Sequence, residues 1–303
     1  MRALVEKLKE KDISHRTDVP AATLCTFRIG GTVALVIEPR CEGELWDAIS
    51  LCRVFHVPFE ILGNGSNVLF EDGYLRVAII RTNLLDACRI TANGVYAGCG
   101  ILLPQLCHLA ALHGLAGLQT FCGIPGTLGG ALAMNAGAYG KQISDLVRSV
   151  KILDITSRKL ETDFSYKKNA FYRNCAYQGE KTIFIGAELS LDKGADPSTL
   201  LEEMKCLKAH RRSAQPLEYP NAGCVFQRPR PDLPIGRFLD ELGCKGMRVG
   251  GAEVSEKHAA FIVNRGGASA DDVKKLMLEI EKKAEKERGM ILSREIRIIS
   301  NGK

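Results

Sequence analysis

The sequence predicts an α+β fold in two parts, a larger one followed by a smaller one. Three observations carry this. The chain has 303 residues, enough for two domains at about 150 residues each. Short Val- and Ile-rich runs alternate with amphipathic helical stretches through the first two-thirds. Beyond Lys193 the texture changes to longer helices around a Pro-rich loop. Hydrophobic residues are 46% and charged residues 25%, an ordinary globular composition that excludes wholesale disorder, collagen and coiled coil.

In chain order, residues 1–20 read as a short charged helix and a lead-in ending at Pro20. VALVI (33–37), VAIIR (77–81), VKILDI (150–155) and TIFIGAELSL (182–191) read as strands, being short β-branched runs. Glu44 to Phe55 has helical spacing, with Leu45, Ile49 and Cys52 on one side. Leu103 to His113 reads as a helix with Pro104 in its first turn and a stop at Gly114, the positions each residue favours. The boundary is expected near 194, between a domain spanning 21–194 and a smaller α+β domain spanning 195–303. The second domain opens with Asp196-Pro197 as N-cap and N1, and Leu200, Leu201, Met204 and Leu207 then line one face. A Pro-rich loop runs from Gln215 to Pro234. Ser269 with Asp272 forms a capping box, Val273, Leu276, Met277, Ile280 and Ala284 make a stripe, and Gly289 closes the helix. Ile291 to Ser300 reads as a terminal strand.

Charge and cysteine usage narrow the function class. The 41 Lys+Arg against 35 Asp+Glu give +6, which favours an anionic ligand. No block of five like charges occurs, so no nucleic-acid-binding arm is expected. MRALVEKLKE has no unbroken apolar region, and no run of about 18 apolar residues occurs. A cytoplasmic location without membrane insertion is the expectation. The eleven cysteines are scattered, with no C-x-x-C, which argues against a zinc site or redox dithiol. Reduced, buried cysteines are expected, with no metal. His108 and His258 have no ligand partner at metal spacing, so both read as packing residues.

Two glycine segments carry the ligand-binding signal. In ILGNGSNVLF (61–70), Gly63, Asn64, Gly65, Ser66 and Asn67 stand between apolar runs. Such a turn aims successive N–H groups at one anion, or it is a plain hairpin. It is no dinucleotide fingerprint, because Val68 replaces the third glycine and no helix follows. The run from Gly114 to Gly140 holds eight of the chain's 30 glycines within 27 residues, interleaved with Leu, Ile, Ala and Met. Apolar, glycine-dense backbone of this kind wraps a large flat ligand carrying phosphates, or lets two helices approach closely.

Together, GNGSNVLF and GIPGTLGGALAMNAGAYG (123–140) resemble the flavin-binding signature of the UDP-N-acetylenolpyruvoylglucosamine reductase family. TFRIGG (26–31), HAAFIVN (258–264) and EIRII (295–299) match further family motifs in order, so the resemblance spans Thr26 to Ile299. It implies a vanillyl-alcohol-oxidase-type FAD-binding domain followed by a substrate domain. It also implies non-covalent FAD, NADPH as reductant, and UDP-N-acetylglucosamine enolpyruvate as substrate, reduced to UDP-N-acetylmuramate for peptidoglycan synthesis; a monomer is the separate expectation. The cofactor contacts it implies are Gly63, Asn64, Gly65, Ser66, Asn67, Gly123, Ile124, Pro125, Gly126, Gly129, Gly130, Asn135, Gly137 and Ala138. Two rival readings are an oxidase on the same fold and a non-catalytic nucleotide-binding protein. Covalent flavin attachment, common in such oxidases, finds no His between residues 57 and 107.

The implied reaction adds hydride from the flavin to one vinyl carbon and a proton to the next. It therefore needs an acid and cationic stabilisation of an enolate-like charge. The family's A-G-S-x-F serine is Cys224 here, within Ala222-Gly223-Cys224-Val225-Phe226. A thiol is a better acid than an alcohol, provided that a neighbouring arginine does not draw it to thiolate. For the family's Y-R motif, Tyr172-Arg173 and Tyr166-Lys167 both stand as candidates. Arg173 is preferred because a planar guanidinium holds a carboxylate by two bonds, and Lys167 is the alternative. Glu295 corresponds to the family's catalytic carboxylate, and strand alternation puts Arg297 on its face. Tyr172, Arg228 and Arg297 are the expected substrate contacts, Arg228 through the diphosphate.

Overall fold

A computed structural model describes residues 1–177 and 182–301. Its first sheet has four strands in the order His15–Pro20, Thr32–Ile37, Tyr74–Arg81, Phe59–Leu62. The first pair is antiparallel and the others are parallel. The helix Glu42–Val54 makes the crossover from Thr32–Ile37 to Phe59–Leu62, as a parallel connection requires. A second, wholly antiparallel sheet runs Lys159–Asp163, Val147–Asp154, Thr182–Ser190, Gly94–Gly98, Cys88–Thr91. A third, in the C-terminal part, runs Asn221–Cys224, Phe261–Asn264, Ala252–Val254, Arg248–Val249.

The first sheet is a shared wall between two hydrophobic cores. Leu35, Ile37, Ala78 and Ile80 pack into one core, while Val33, Val36, Val77 and Ile79 pack into the other. Burial on both faces explains why these strands read as unbroken apolar runs. The first core holds Leu4 and Leu8 of the N-terminal helix Arg2–Glu10, so residues 1–20 are part of the packed body. It also takes Leu200 and Met204 of the helix Pro197–Ala214. The expected boundary near 194 thus falls between two elements that share one core. The second core joins Phe27 and Phe70 to Phe226, Phe238 and the stripe Val273, Leu276, Met277, Ile280 and Ala284. Each such side chain stabilises by about 1.5–3 kcal/mol when fully buried, which locks the C-terminal part onto the wall.

Local signals in the sequence mostly become the elements expected. Asp196 caps its helix by accepting from the Thr199 N–H. Ser269 and Asp272 form the capping box of Ala270–Arg288, and Gly289 ends that helix in a left-handed conformation. The terminal strand is a correction: the expected run 291–300 contains only Arg297–Ile299. The Glu295 N–H donates to the Val225 carbonyl, whereas the Arg297 N–H donates to the Asn67 carbonyl. The chain therefore changes partners at residue 296 and finishes paired in parallel with Val68–Phe70.

Candidate active site

The two glycine loops pack against each other. The strands flanking Gly63–Asn67 pair with different partners, Phe59–Leu62 with Tyr74–Arg81 and Val68–Phe70 with Arg297–Ile299. This excludes the hairpin reading. Gly65 has a φ of 63°, and a Cβ there would stand 2.2 Å from the Leu24 carbonyl oxygen. At Gly63 a Cβ would lie 2.3 Å from Thr127 Oγ1, so the loops pack backbone to side chain. Asn64 Nδ2 donates to the Pro125 carbonyl at 2.6 Å, tying one loop to the other. The helix-pair reading of residues 114–140 also fails, since the only α-helix after Gly114 in that run is the short Leu128–Ala133.

Between these loops and the C-terminal part lies a cleft of about 2250 Å³. That is more than twice the roughly 1,000 Å³ at the upper end for sites of drug-sized ligands, room for a dinucleotide with a second ligand. Of the fourteen expected cofactor contacts, thirteen line it, the exception being Asn135. A Cβ at Gly130 would meet nothing closer than Thr127 Oγ1 at 3.6 Å, leaving backbone open to a ligand. These residues fit FAD. Asn135 is buried, and its Nδ2 donates to Gln142 Oε1 at 2.8 Å and to the Phe171 carbonyl at 3.0 Å. Its Oδ1 accepts from the Ser144 N–H. With every polar atom engaged, Asn135 anchors the neighbouring hairpin instead of facing the cleft.

That hairpin pairs Ala170–Phe171 with Asn174–Cys175, so Tyr172 and Arg173 form its two-residue tip. Arg173 takes a φ of 54° and reaches Glu295, with Nε 3.2 Å from Oε1. Its Nη2 donates to the Gly137 carbonyl at 3.4 Å. Lys167 stands apart, exposed on the short helix Tyr166–Asn169, which is pinned by the Tyr166 hydroxyl donating to the Leu132 carbonyl. The Lys167 side chain faces an adjoining basin instead of the cleft.

Cys224 ends the strand Asn221–Cys224 and lies where the cleft meets that basin. Burial pushes its thiol up to about 12, with Glu295 raising it further and Arg173 and Arg211 acting in the opposite sense. Desolvation wins over the arginines, so the thiol stays protonated at neutral pH. Burial also raises Glu295 to about 6, partly offset by Arg173. Glu295 is therefore mostly ionised at pH 7.

The basin, about 1020 Å³, is lined by Lys141, Lys167, Arg228, Arg237, Lys245 and Lys257 against Asp145 and Asp240. The Arg228 guanidinium lies 4.0 Å over the Tyr172 ring. Arg173 approaches the same ring at 5.4 Å. Arg297 lies away from them, lining the cleft and paired with Glu60 at 2.8 Å. Among the lining residues without a sequence reading as ligand contacts are Tyr139, Arg211 and His258. His258 sits against Gly236, and its Nδ1 accepts from the Ala260 N–H. No spacing pattern marked them, because the fold brings them together from separate elements.

Residues 33–162 match the FAD binding domain family. Residues 215–299 match the UDP-N-acetylenolpyruvoylglucosamine reductase C-terminal domain. The chain is 39% identical over 281 residues to the UDP-N-acetylenolpyruvoylglucosamine reductase of Carboxydothermus hydrogenoformans, covering 92% of each chain. It is 34% identical over 305 residues to that of Clostridium perfringens, covering 98% of this chain and 96% of the relative. The crystal structure of the Thermus caldophilus enzyme of that name superposes with a TM-score of 0.77 at 28% identity, covering 94% of this chain and 98% of the other. With motifs, fold and full-length relatives in agreement, this chain belongs to the UDP-N-acetylenolpyruvoylglucosamine reductase family.

Proposed function

We propose that this chain reduces the enolpyruvyl ether of UDP-N-acetylglucosamine enolpyruvate to UDP-N-acetylmuramate, as a cytoplasmic monomer that needs no metal. The glycine loops would hold FAD non-covalently, and the bound flavin, with NADPH as reductant, would supply hydride chemistry. The observation that carries the reading is the meeting of Cys224, Arg173 and Glu295, drawn from three separate segments, at one point beside those loops.

The protein's own groups supply the rest. Cys224 Sγ holds the proton that the substrate carbon receives, and the raised thiol keeps it in place until a carbanion-like centre asks for it. Arg173 faces the substrate carboxylate and offsets the charge that spreads onto it. Its ion pair with Glu295 at 3.2 Å supports Arg173 over Lys167. Glu295 orients that guanidinium, and with a pKa of about 6 it can take up a proton from solvent and pass it to the thiolate that donation leaves. The excess of cations in the basin supports Arg228, stacked on Tyr172, as a partner of the UDP diphosphate. Arg297 serves as a substrate contact only by exchanging Glu60 for a ligand anion. Among the described residues no helix is long and apolar enough to cross a membrane, which agrees with a cytoplasmic assignment.

The test is an anaerobic titration of the purified, FAD-reconstituted protein followed at about 450 nm, where oxidised flavin absorbs. NADPH should bleach the band, and UDP-N-acetylglucosamine enolpyruvate should restore it. A band that bleaches but does not return overturns the substrate assignment, and no band at all overturns the flavin reading.

A further inference from the structure

Two motifs of the sequence have no part in the function proposed above, TFRIGG (26–31) and HAAFIVN (258–264), and the fold brings them together. The Asn264 side chain is buried, and its Nδ2 donates to the Phe27 and Arg28 carbonyls, each at 3.4 Å. Its Oδ1 accepts from the Gly266 and Ala268 N–H groups. The same turn is tied to the first glycine loop, because the Thr26 N–H donates to the Gly65 carbonyl at 3.1 Å. Packing there is close, since a Cβ on Gly65 would stand 2.8 Å from Cys25 Cα. Thr26 Oγ1 also donates to the Asn221 carbonyl at 2.7 Å, on the strand that ends at Cys224. Arg28 thus stands on a turn clamped between the first glycine loop and the C-terminal part, and it lines the cleft.

Two properties of Arg28 call for an explanation. Its φ is 55°, a left-handed conformation that glycine enters freely and a residue with a Cβ enters at a cost. Glycine would suit the backbone better, so the side chain has a use that offsets the strain. Its charge is also unmatched. Of the other arginines lining the cleft, Arg81 pairs with Glu38, Arg173 with Glu295 and Arg297 with Glu60, while Arg53 donates to the Ile155 carbonyl at 2.7 Å. Among the described residues Arg28 has no carboxylate and no hydrogen-bond acceptor, although it borders a loop whose N–H groups suit an anion. We infer that Arg28 is the ionic contact for the diphosphate of the bound cofactor, completing the anion site that Gly63–Asn67 begin. A guanidinium can give a phosphate two parallel bonds. A diphosphate is also present in the UDP-sugar and in NADPH. The cofactor's is favoured because the turn is packed on the first glycine loop, whereas the basin around Arg228 provides for the UDP diphosphate. The inference rests on the flavin reading, and the experiment below separates the two.

Arg28→Gly is the informative variant, because it removes the charge and the backbone strain together. Flavin-free Arg28→Gly should be no less stable than wild type in denaturant unfolding, yet its FAD Kd, read by flavin fluorescence, should rise about tenfold or more. Riboflavin carries the same ring without phosphates, and its Kd should be alike in both proteins. Raising KCl from about 0.05 to 0.5 M should weaken FAD binding more in wild type than in the variant, because salt screens an exposed ion pair. An unchanged FAD Kd overturns the inference and leaves the flavin reading intact. Equal losses for FAD and riboflavin, or a flavin-free variant less stable than wild type, overturn it by assigning Arg28 to the fold. A change confined to the KM for NADPH or for the enolpyruvyl sugar overturns it by moving Arg28 to another ligand. Wild-type protein that binds no FAD overturns the flavin reading itself. If Arg28→Gly does not fold, Arg28→Lys and Arg28→Gln decide: FAD affinity kept by Lys and lost by Gln supports the charge role, and equal affinities refute it.

Discussion

Replacing Glu295 with Gln should make the protein more stable and nearly inactive, and the stability gain should depend on pH. The Glu295 side chain is only 13% exposed, and burial raises its carboxyl from 4.5 to about 6 even with Arg173 beside it. At 1.36 kcal/mol per pH unit, that difference is about 2 kcal/mol. The sign follows from the direction of the rise. Folding favours the protonated acid, so this stability is fully present below pH 4.5 and lost as pH rises through about 6. Glutamine mimics the protonated form at every pH. Glu295→Gln should therefore match wild type near pH 4.5 and exceed it by up to about 2 kcal/mol above pH 7, a gain of several degrees in Tm. Turnover should fall about a hundredfold or more, the range expected for a lost acid–base group. The assay is thermal unfolding of both proteins from pH 4.5 to 8, with initial rates at each pH. A variant less stable than wild type at pH 7, or a difference that does not change with pH, refutes the reasoning.

Three further outcomes follow from the same geometry. Cys224→Ser should remain active, and the wild type should lose no activity through ionisation of Cys224 below about pH 10, because burial pushes that thiol up to about 12; pH–rate profiles of the two forms check this. Arg173→Met should lower kcat about a hundredfold or more, whereas Lys167→Ala, on an exposed side chain outside the cleft, should leave kcat within a factor of two or so of wild type; steady-state kinetics of the pair decide between the two cations. Gly65→Ala places a Cβ 2.2 Å from the Leu24 carbonyl oxygen at a φ of 63°, so stability should fall by about 1–3 kcal/mol and FAD affinity with it, read by denaturant unfolding and flavin fluorescence.

Where the chain was legible, a local physical rule decided the outcome. The helix Ala270–Arg288 has its capping box, stripe and left-handed glycine written in consecutive residues. The strands Thr32–Ile37 and Tyr74–Arg81 are apolar on both faces because each face meets a separate core. The glycine loops were visible as composition, but only topology separates a cradle from a hairpin, and topology depends on Arg297–Ile299 arriving from the far end of the chain. The same long-range pairing cut the terminal strand short. Asn135 reads as a loop residue near glycines, and nothing local indicates that its amide is used up by Gln142, Phe171 and Ser144. Tyr139, Arg211 and His258 were illegible for a related reason: they line one cleft only because the fold brings separate elements together.

The central claim is that Cys224 delivers the proton, and separating the two half-reactions in FAD-loaded Cys224→Ala tests it most directly. Rapid mixing with NADPH should bleach the flavin at close to the wild-type rate. Subsequent mixing with UDP-N-acetylglucosamine enolpyruvate should fail to restore the band on the catalytic timescale. Reoxidation by the enolpyruvyl sugar at the wild-type rate, or equal loss of both half-reactions, contradicts the account.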